Sequence, residues 1–143
     1  MNYWLIALPR ERLEFCITNG IFGLNRKYIL PKVQKSDKVL FYATKYQKII
    51  AVGEVTEPYH LDDTPVFTDY KLFSRNDVYP DRIRFTARKL EPEIDFIQLI
   101  DKMSFIKSLA NWQIHFRSAI LQIAESDWKV IAAEFKAPTS PTE

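Results

Sequence analysis

Two short stretches of the chain carry residue types that could do chemistry, and the chemistry they suit is recognition of a flat ring. The first is Asn19-Gly20-Ile21-Phe22-Gly23-Leu24-Asn25-Arg26-Lys27, which holds two of the three glycines among 143 residues, with Phe22 between them. Glycine is conformationally permissive but entropically costly, so a chain this sparing of it places it where backbone geometry demands it. Gly20 follows an amphipathic segment and reads as the residue that ends a helix. Gly23 has no such duty. It would let the backbone approach a ligand closely, directly after a side chain able to stack on a planar ring. The second stretch is Trp112-Gln113-Ile114-His115-Phe116-Arg117. Trp112 and Phe116 stand at i and i+4, a core-packing spacing that would leave His115 hydrogen-bonded at the edge. The functional reading instead puts Trp112 or His115 at the border of a pocket for a planar ligand.

Charge adds a second property to the first stretch. Between residues 26 and 48 stand Arg26, Lys27, Lys32, Lys35, Lys38, Lys45 and Lys48 against a lone Asp37, although the whole chain carries only +2. A basic stretch beside an aromatic pocket suits contact with a phosphate backbone. It equally suits the solvated lysine face of a stable soluble protein. Catalytic signatures are missing: no glycine-rich phosphate loop, no Gly-x-Ser-x-Gly, no His-Glu-x-x-His and no cysteine pair. Glu11 with Glu14, and Asp62 with Asp63, are carboxylate pairs without a partner base and read as solvated surface groups. His60 and His115 do not make a metal site between them. These features argue against an enzyme, a cofactor or a bound metal.

The elements that must position these groups fit one domain, long enough for a hydrophobic core without staples. Cys16, the single cysteine, excludes an internal disulfide and reads as a small core residue. With no apolar run long enough to span a bilayer and no leader pattern, the expectation is a cytoplasmic protein with no membrane association. Residues 3–8 form a buried first strand, and Pro9 opens a helix in which Leu13, Cys16 and Ile17 make one apolar stripe. Asn19-Gly20 stops that helix. Residues 38–44 and 49–55 are strands joined by the hairpin link Lys45-Tyr46-Gln47-Lys48. Gly53 interrupts the second of them, marking a bulge or a close approach to another group.

Residues 57–78 read as a long excursion, partly strand, with residues 61–65 the best candidate for a mobile loop. Tyr79-Pro80-Asp81 is turn chemistry. Residues 82–90 alternate Ile83, Phe85 and Ala87 against Arg82, Arg84, Thr86 and Arg88, giving one core face and one cationic face. Short helices are expected over 94–100 and 101–109, and Ser126-Asp127 should cap a last helix carrying Trp128, Val130, Ile131 and Phe135. Trp4 and Trp128 sit inside apolar patterns and read as core. Residues 137–143 are polar and proline-bearing and read as a disordered tail, leaving 1–136 as the domain. This order of elements predicts an α+β chain (mixed α/β) with a compact β-barrel centre rather than a doubly wound sheet.

The succession Tyr3-Trp4-Leu5-Ile6, Ile21-Phe22-Gly23-Leu24, Lys38-Val39-Leu40-Phe41-Tyr42 and Ala51-Val52-Gly53-Glu54-Val55 resembles the EVE domain of the PUA-like superfamily, a relative of the YTH domain. Tyr79-Pro80-Asp81-Arg82-Ile83, Phe105-Ile106 and the segment from Trp112 to Arg117 resemble its small single-domain archaeal and bacterial branch. The resemblance implies a PUA-like β-pseudobarrel flanked by short helices. It also implies a nucleic-acid partner, DNA or RNA, whose modified base is flipped out into a concave pocket. On that reading Phe22 stacks on the base, and Gly23 and Leu24 meet its edge through backbone. Asn25 offers an amide, Gly53 leaves room, and Trp112 and His115 close the pocket, while Arg26, Lys27 and Arg117 hold phosphates. The family usually has Trp at the position of Phe22, and Phe stacks with less area and without an indole N–H. Two other readings stay open: the same pocket serving a free nucleobase or nucleotide in a sensor or enzyme, and a protein-interaction module using residues 57–78.

Overall fold

Apolar side chains on both faces of the first strand place it inside the molecule. In β1 (Tyr3–Leu8), Trp4, Leu5, Ile6 and Ala7 are all buried. The computed structural model describes residues 1–24, 32–61, 81–108, 110, 112–117 and 119–135, and of Leu24, Asp81, His115 and Arg117 the backbone alone. After β1 come α1 (Arg10–Asn19), β2 (Ile21–Leu24), β3 (Lys38–Ala43), β4 (Lys48–Leu61) and β5 (Asp81–Asp95). Two 3₁₀ helices (Phe96–Lys102 and Trp112–Arg117), β6 (Ile120–Ile123) and α2 (Glu125–Ala132) complete the described elements. The strands form one six-stranded sheet in the order β2-β5-β4-β3-β1-β6, curled into a half-barrel. Among the described strands only β1 and β3 run parallel; α1 lies between them in sequence, as a parallel pair requires a crossover connection.

Alternation along the strands sorts the core into two clusters. Trp4, Ile6, Val39, Phe41, Ile83 and Phe85 pack on one face, with Leu13 and Cys16 of α1. Leu5, Ala7, Leu40 and Tyr42 point the other way, against Phe96, Leu99, Trp112, Phe116 and Ile131. The small C-terminal helices thus cover the face that α1 does not. Gly20 adopts φ 65°, its N–H donates to the Cys16 carbonyl, and a Cβ there would lie 2.7 Å from the Phe85 carbonyl oxygen. It therefore closes α1 and lets the turn lie against β5. The hairpin link behaves as expected: Gln47 takes φ 57° and donates to the Ala43 carbonyl at 2.8 Å.

Several expectations are corrected. The stretch 94–109 is not two short helices: β5 continues to Asp95, one 3₁₀ helix covers Phe96–Lys102, and residues 103–108 are irregular. Ser126-Asp127 does not cap α2, whose N-cap is Ala124 without a side-chain bond. Buried Asp127 instead accepts from the backbone N–H and the hydroxyl of Ser104, both at 2.6 Å, fastening the first turn of α2 to the irregular stretch. In residues 57–78 the strand is longer than expected, since β4 runs on to Leu61. The loop expected around 61–65, the Tyr79-Pro80 turn and the 137–143 tail fall largely or wholly outside the described residues.

Cys16, on the core-facing side of α1, is fully buried. Burial pushes its thiol up from the ordinary 9.0 to about 12. Between those pH values the unfolded chain gives up a proton that the folded chain keeps, so stability falls as pH rises through that window. At about pH 8 the native thiol should resist Ellman's reagent and react only after denaturant is added, because the attacking species is the thiolate. Prompt reaction of the native chain would contradict this placement.

Candidate functional site

β2 lies at one end of the sheet and pairs only with β5 among the described strands. On its other side no described strand pairs with it, and Ile21, Phe22 and Gly23 are all buried. Gly23 sits on this strand in register with Arg82 of β5, and Arg82 is in turn in register with His60 of β4. The cross-strand row Gly23, Arg82, His60 thus joins a residue with no side chain to a guanidinium that is only 2% exposed. Residues 82–90 otherwise alternate as expected, with Ile83 and Phe85 buried and Arg84, Thr86 and Arg88 exposed. Burial of Arg82 is the exception. His60 Nδ1 lies 2.9 Å from the Pro58 carbonyl oxygen and 3.7 Å from Glu57, which also faces Arg84 at 3.6 Å.

Phe22, the residue expected to stack on a base, is 1% exposed and belongs to the α1-side core, in register with Ile83. Its ring is core packing in this structure, because β2 alternates and turns that side chain inward while Gly23 faces the other way. Gly53 lies on β4 between Val39 and Ala87. A Cβ on it would lie 2.4 Å from the Thr86 carbonyl oxygen and 3.1 Å from the Phe41 ring, so the close approach is to β5 and the core. Trp112 is 8% exposed and packs edge-on to Phe116, with Phe96 and Tyr42 beside them, in the opposite core cluster. Phe22, Gly53 and Trp112 are therefore not gathered into one pocket. Asn25, Arg26 and Lys27 lie outside the described residues; His115 and Arg117 stand on the 3₁₀ helix Trp112–Arg117, described by their backbone.

Two of the concavities on the face that carries Trp112 bear on the site residues. One, about 350 Å³, is lined by Tyr42, Thr44, Lys45, Gln47, Gln113 and Phe116. Tyr42 stacks on Phe116 at 4.3 Å, and burial pushes its phenol well up, so it is a neutral hydrogen-bonding group and no base at neutral pH. The other, about 410 Å³, lies between the middle of the sheet and α2, with Lys38, Glu54, Thr86, Arg88, Trp128 and Phe135 in its lining. Sequence reasoning placed Thr86 and Arg88 on the cationic face but assigned Trp128 to the core. Its half-buried ring forms a wall instead. Among the described residues no cluster of three His, Cys, Asp or Glu is placed to hold a metal ion. No described helix is long and apolar enough to cross a membrane.

A curled mixed sheet with one parallel pair, covered by α1 on one face and short helices on the other, is a PUA-like half-barrel. The model of the EVE domain family matches residues 2–134, and the chain belongs to that family. It is 28% identical to a UPF0310 protein of Pyrococcus horikoshii, over 92% of this chain and 97% of that one. Among solved structures, a mutant ASCH protein from Zymomonas mobilis shares the fold with a TM-score of 0.67 at 10% identity, covering 95% of this chain and 100% of the other. The Pho92 YTH domain, solved in complex with m6A, aligns with a TM-score of 0.63 at 14% identity, over 97% of this chain and 85% of that one.

Proposed function

We propose that this protein is a non-catalytic reader of nucleic acid that accepts a modified base, turned out of its strand, beside β2 on the side that no described strand pairs. The observation that carries the reading is the fold held in common with a YTH domain whose structure contains m6A. The local geometry supports it. An edge strand offers backbone donors and acceptors to a base edge, and Gly23 removes the side chain that would stand in the way. Buried Arg82 stands in register beside it, and His60 in the same row offers a ring nitrogen. Asn25 follows directly in sequence with an amide, and Arg26 and Lys27 supply cations for the flanking phosphates. Stacking falls to an aromatic other than Phe22, whose ring is occupied by the core.

The test is a binding panel of DNA and RNA oligonucleotides, each with one modified base, against unmodified controls over a range of salt concentrations. One modification should be preferred by about tenfold or more, a difference of about 1.4 kcal/mol. Arg26→Ala and Lys27→Ala should weaken all sequences alike and each reduce the salt slope by about 1. Binding that ignores the modification would leave only a general nucleic-acid module, and absence of binding to any oligonucleotide would end the reading.

A further inference from the structure

The 410 Å³ cavity opens over the middle of the sheet, on β3, β4 and β5, whereas the proposed function uses β2. Two cross-strand rows supply its sheet side: Lys38, Glu54 and Thr86 form one, and Val52 with Arg88 the next. Trp128 and Phe135 supply the other side. Their rings meet edge to face at 83°, 5.9 Å apart, and Trp128 is braced from behind by Tyr3 at 5.2 Å. Rings held this way lose little freedom when a flat ligand arrives, which favours binding.

Polar groups around the cavity are unequal. Lys38 is neutralised by Glu54 at 2.6 Å. Arg88 faces no carboxylate within ion-pair distance among the described residues, and its guanidinium lies 5.9 Å from the centre of the Phe135 ring. A planar cation with no carboxylate partner among the described residues therefore stands beside two aromatic rings and the Thr86 hydroxyl. A guanidinium fork matches a carboxylate or phosphate through two parallel hydrogen bonds. The volume, about 410 Å³, falls within the range of small-molecule sites, about 300–1,000 Å³. We infer that this cavity is a second binding site, for a small planar ring that carries one anionic group. The ring lies against Trp128 and Phe135, the anion meets Arg88, and the Lys38–Glu54 pair presents a donor and an acceptor to the polar edge of the ring.

A phosphate and a carboxylate would satisfy Arg88 equally, so the full-length chain is titrated with both kinds of probe. One arm uses the four ribonucleoside 5′-monophosphates and the matching nucleosides; the other uses indole-3-acetate and uncharged indole. Calorimetry gives affinity, and amide NMR shifts give the location. At least one anionic probe should bind and shift the amides of Gly53, Glu54, Thr86 and Arg88, and its uncharged counterpart should bind about tenfold more weakly. Whichever arm binds identifies the source of the anion. Arg88→Ala should cost about tenfold, Arg88→Lys less, and Arg84→Ala, whose partner is Glu57, nothing. The inference is overturned if no anionic probe moves those amides. Equal losses from Arg88→Ala and Arg84→Ala would overturn it too, since they would mean only diffuse surface attraction.

Discussion

Asp37→Ala is expected to lower the unfolding free energy by about 3–5 kcal/mol, read as a fall in the urea midpoint at unchanged slope. The carboxylate is 1% exposed and accepts three hydrogen bonds, each at 2.9 Å. Oδ1 takes the backbone N–H of Asn2, and Oδ2 takes the indole N–H of Trp4 and the backbone N–H of Gln34. Trp4 is wholly buried, so its N–H has no route to water once the acceptor is gone. Each donor stranded in this way costs about 1–3 kcal/mol. Asp37→Asn separates charge from geometry. Its one oxygen can serve Trp4 and Gln34, but its NH₂ then meets the N–H of Asn2, so about 1–2 kcal/mol should still be lost. In a Trp4→Phe background the cost of Asp37→Ala should shrink by about 1 kcal/mol or more, the coupling that a shared hydrogen bond leaves in a double-mutant cycle. A loss below about 1 kcal/mol for Asp37→Ala in the parent chain would sink the account. The clamp also bears on function. It fixes the turn before β3 to the start of β1, and the segment carrying Asn25, Arg26 and Lys27 ends in sequence at that turn.

How much of this could be read from the residues depended on whether a pattern was local. β1, α1, the 45–48 link and the Gly20 stop were legible because periodicity and turn chemistry act over a few neighbours. The mixed α+β class and the PUA-like half-barrel followed from the order of those elements and from the family resemblance. Burial of Asp37 and Asp127 was not legible. Each is a charged residue whose partners are far away in sequence or are backbone groups, and nothing local distinguishes it from a solvated carboxylate. The candidate site was legible only in part. Gly23 lies on β2 in register with Arg82, whereas Phe22 beside it went into the core, because adjacent strand residues face opposite ways. Trp128 was assigned to the core by its apolar neighbours. Its exposure depends on where α2 stops relative to β4 and β5, a tertiary fact without a sequence signal.

Gly53→Ala should destabilise the chain by about 2–4 kcal/mol, and its sign decides why the glycine is there. If Gly53 existed only to leave space for a ligand, alanine would leave stability unchanged or raise it by about 0.4–1 kcal/mol, through the smaller entropy of the unfolded chain. The structure predicts the opposite. The added methyl would lie 2.4 Å from the Thr86 carbonyl oxygen, 3.1 Å from the Phe41 ring and 3.3 Å from the Ala87 Cβ. The nearest of these is backbone, fixed by the β4–β5 pairing, and cannot swing aside as a side-chain tip would. Phe41 cannot retreat either, since its ring already packs on Phe85 at 4.9 Å in the core. Relief therefore requires β4 to separate from β5 at Thr86, which also displaces the lining of the second cavity on the opposite face. Thermal unfolding of Gly53→Ala checks this directly. A melting temperature at or above that of the parent chain would return Gly53 to the role of ligand space, whereas a drop of several degrees shows that β4 and β5 need the missing side chain in order to pair.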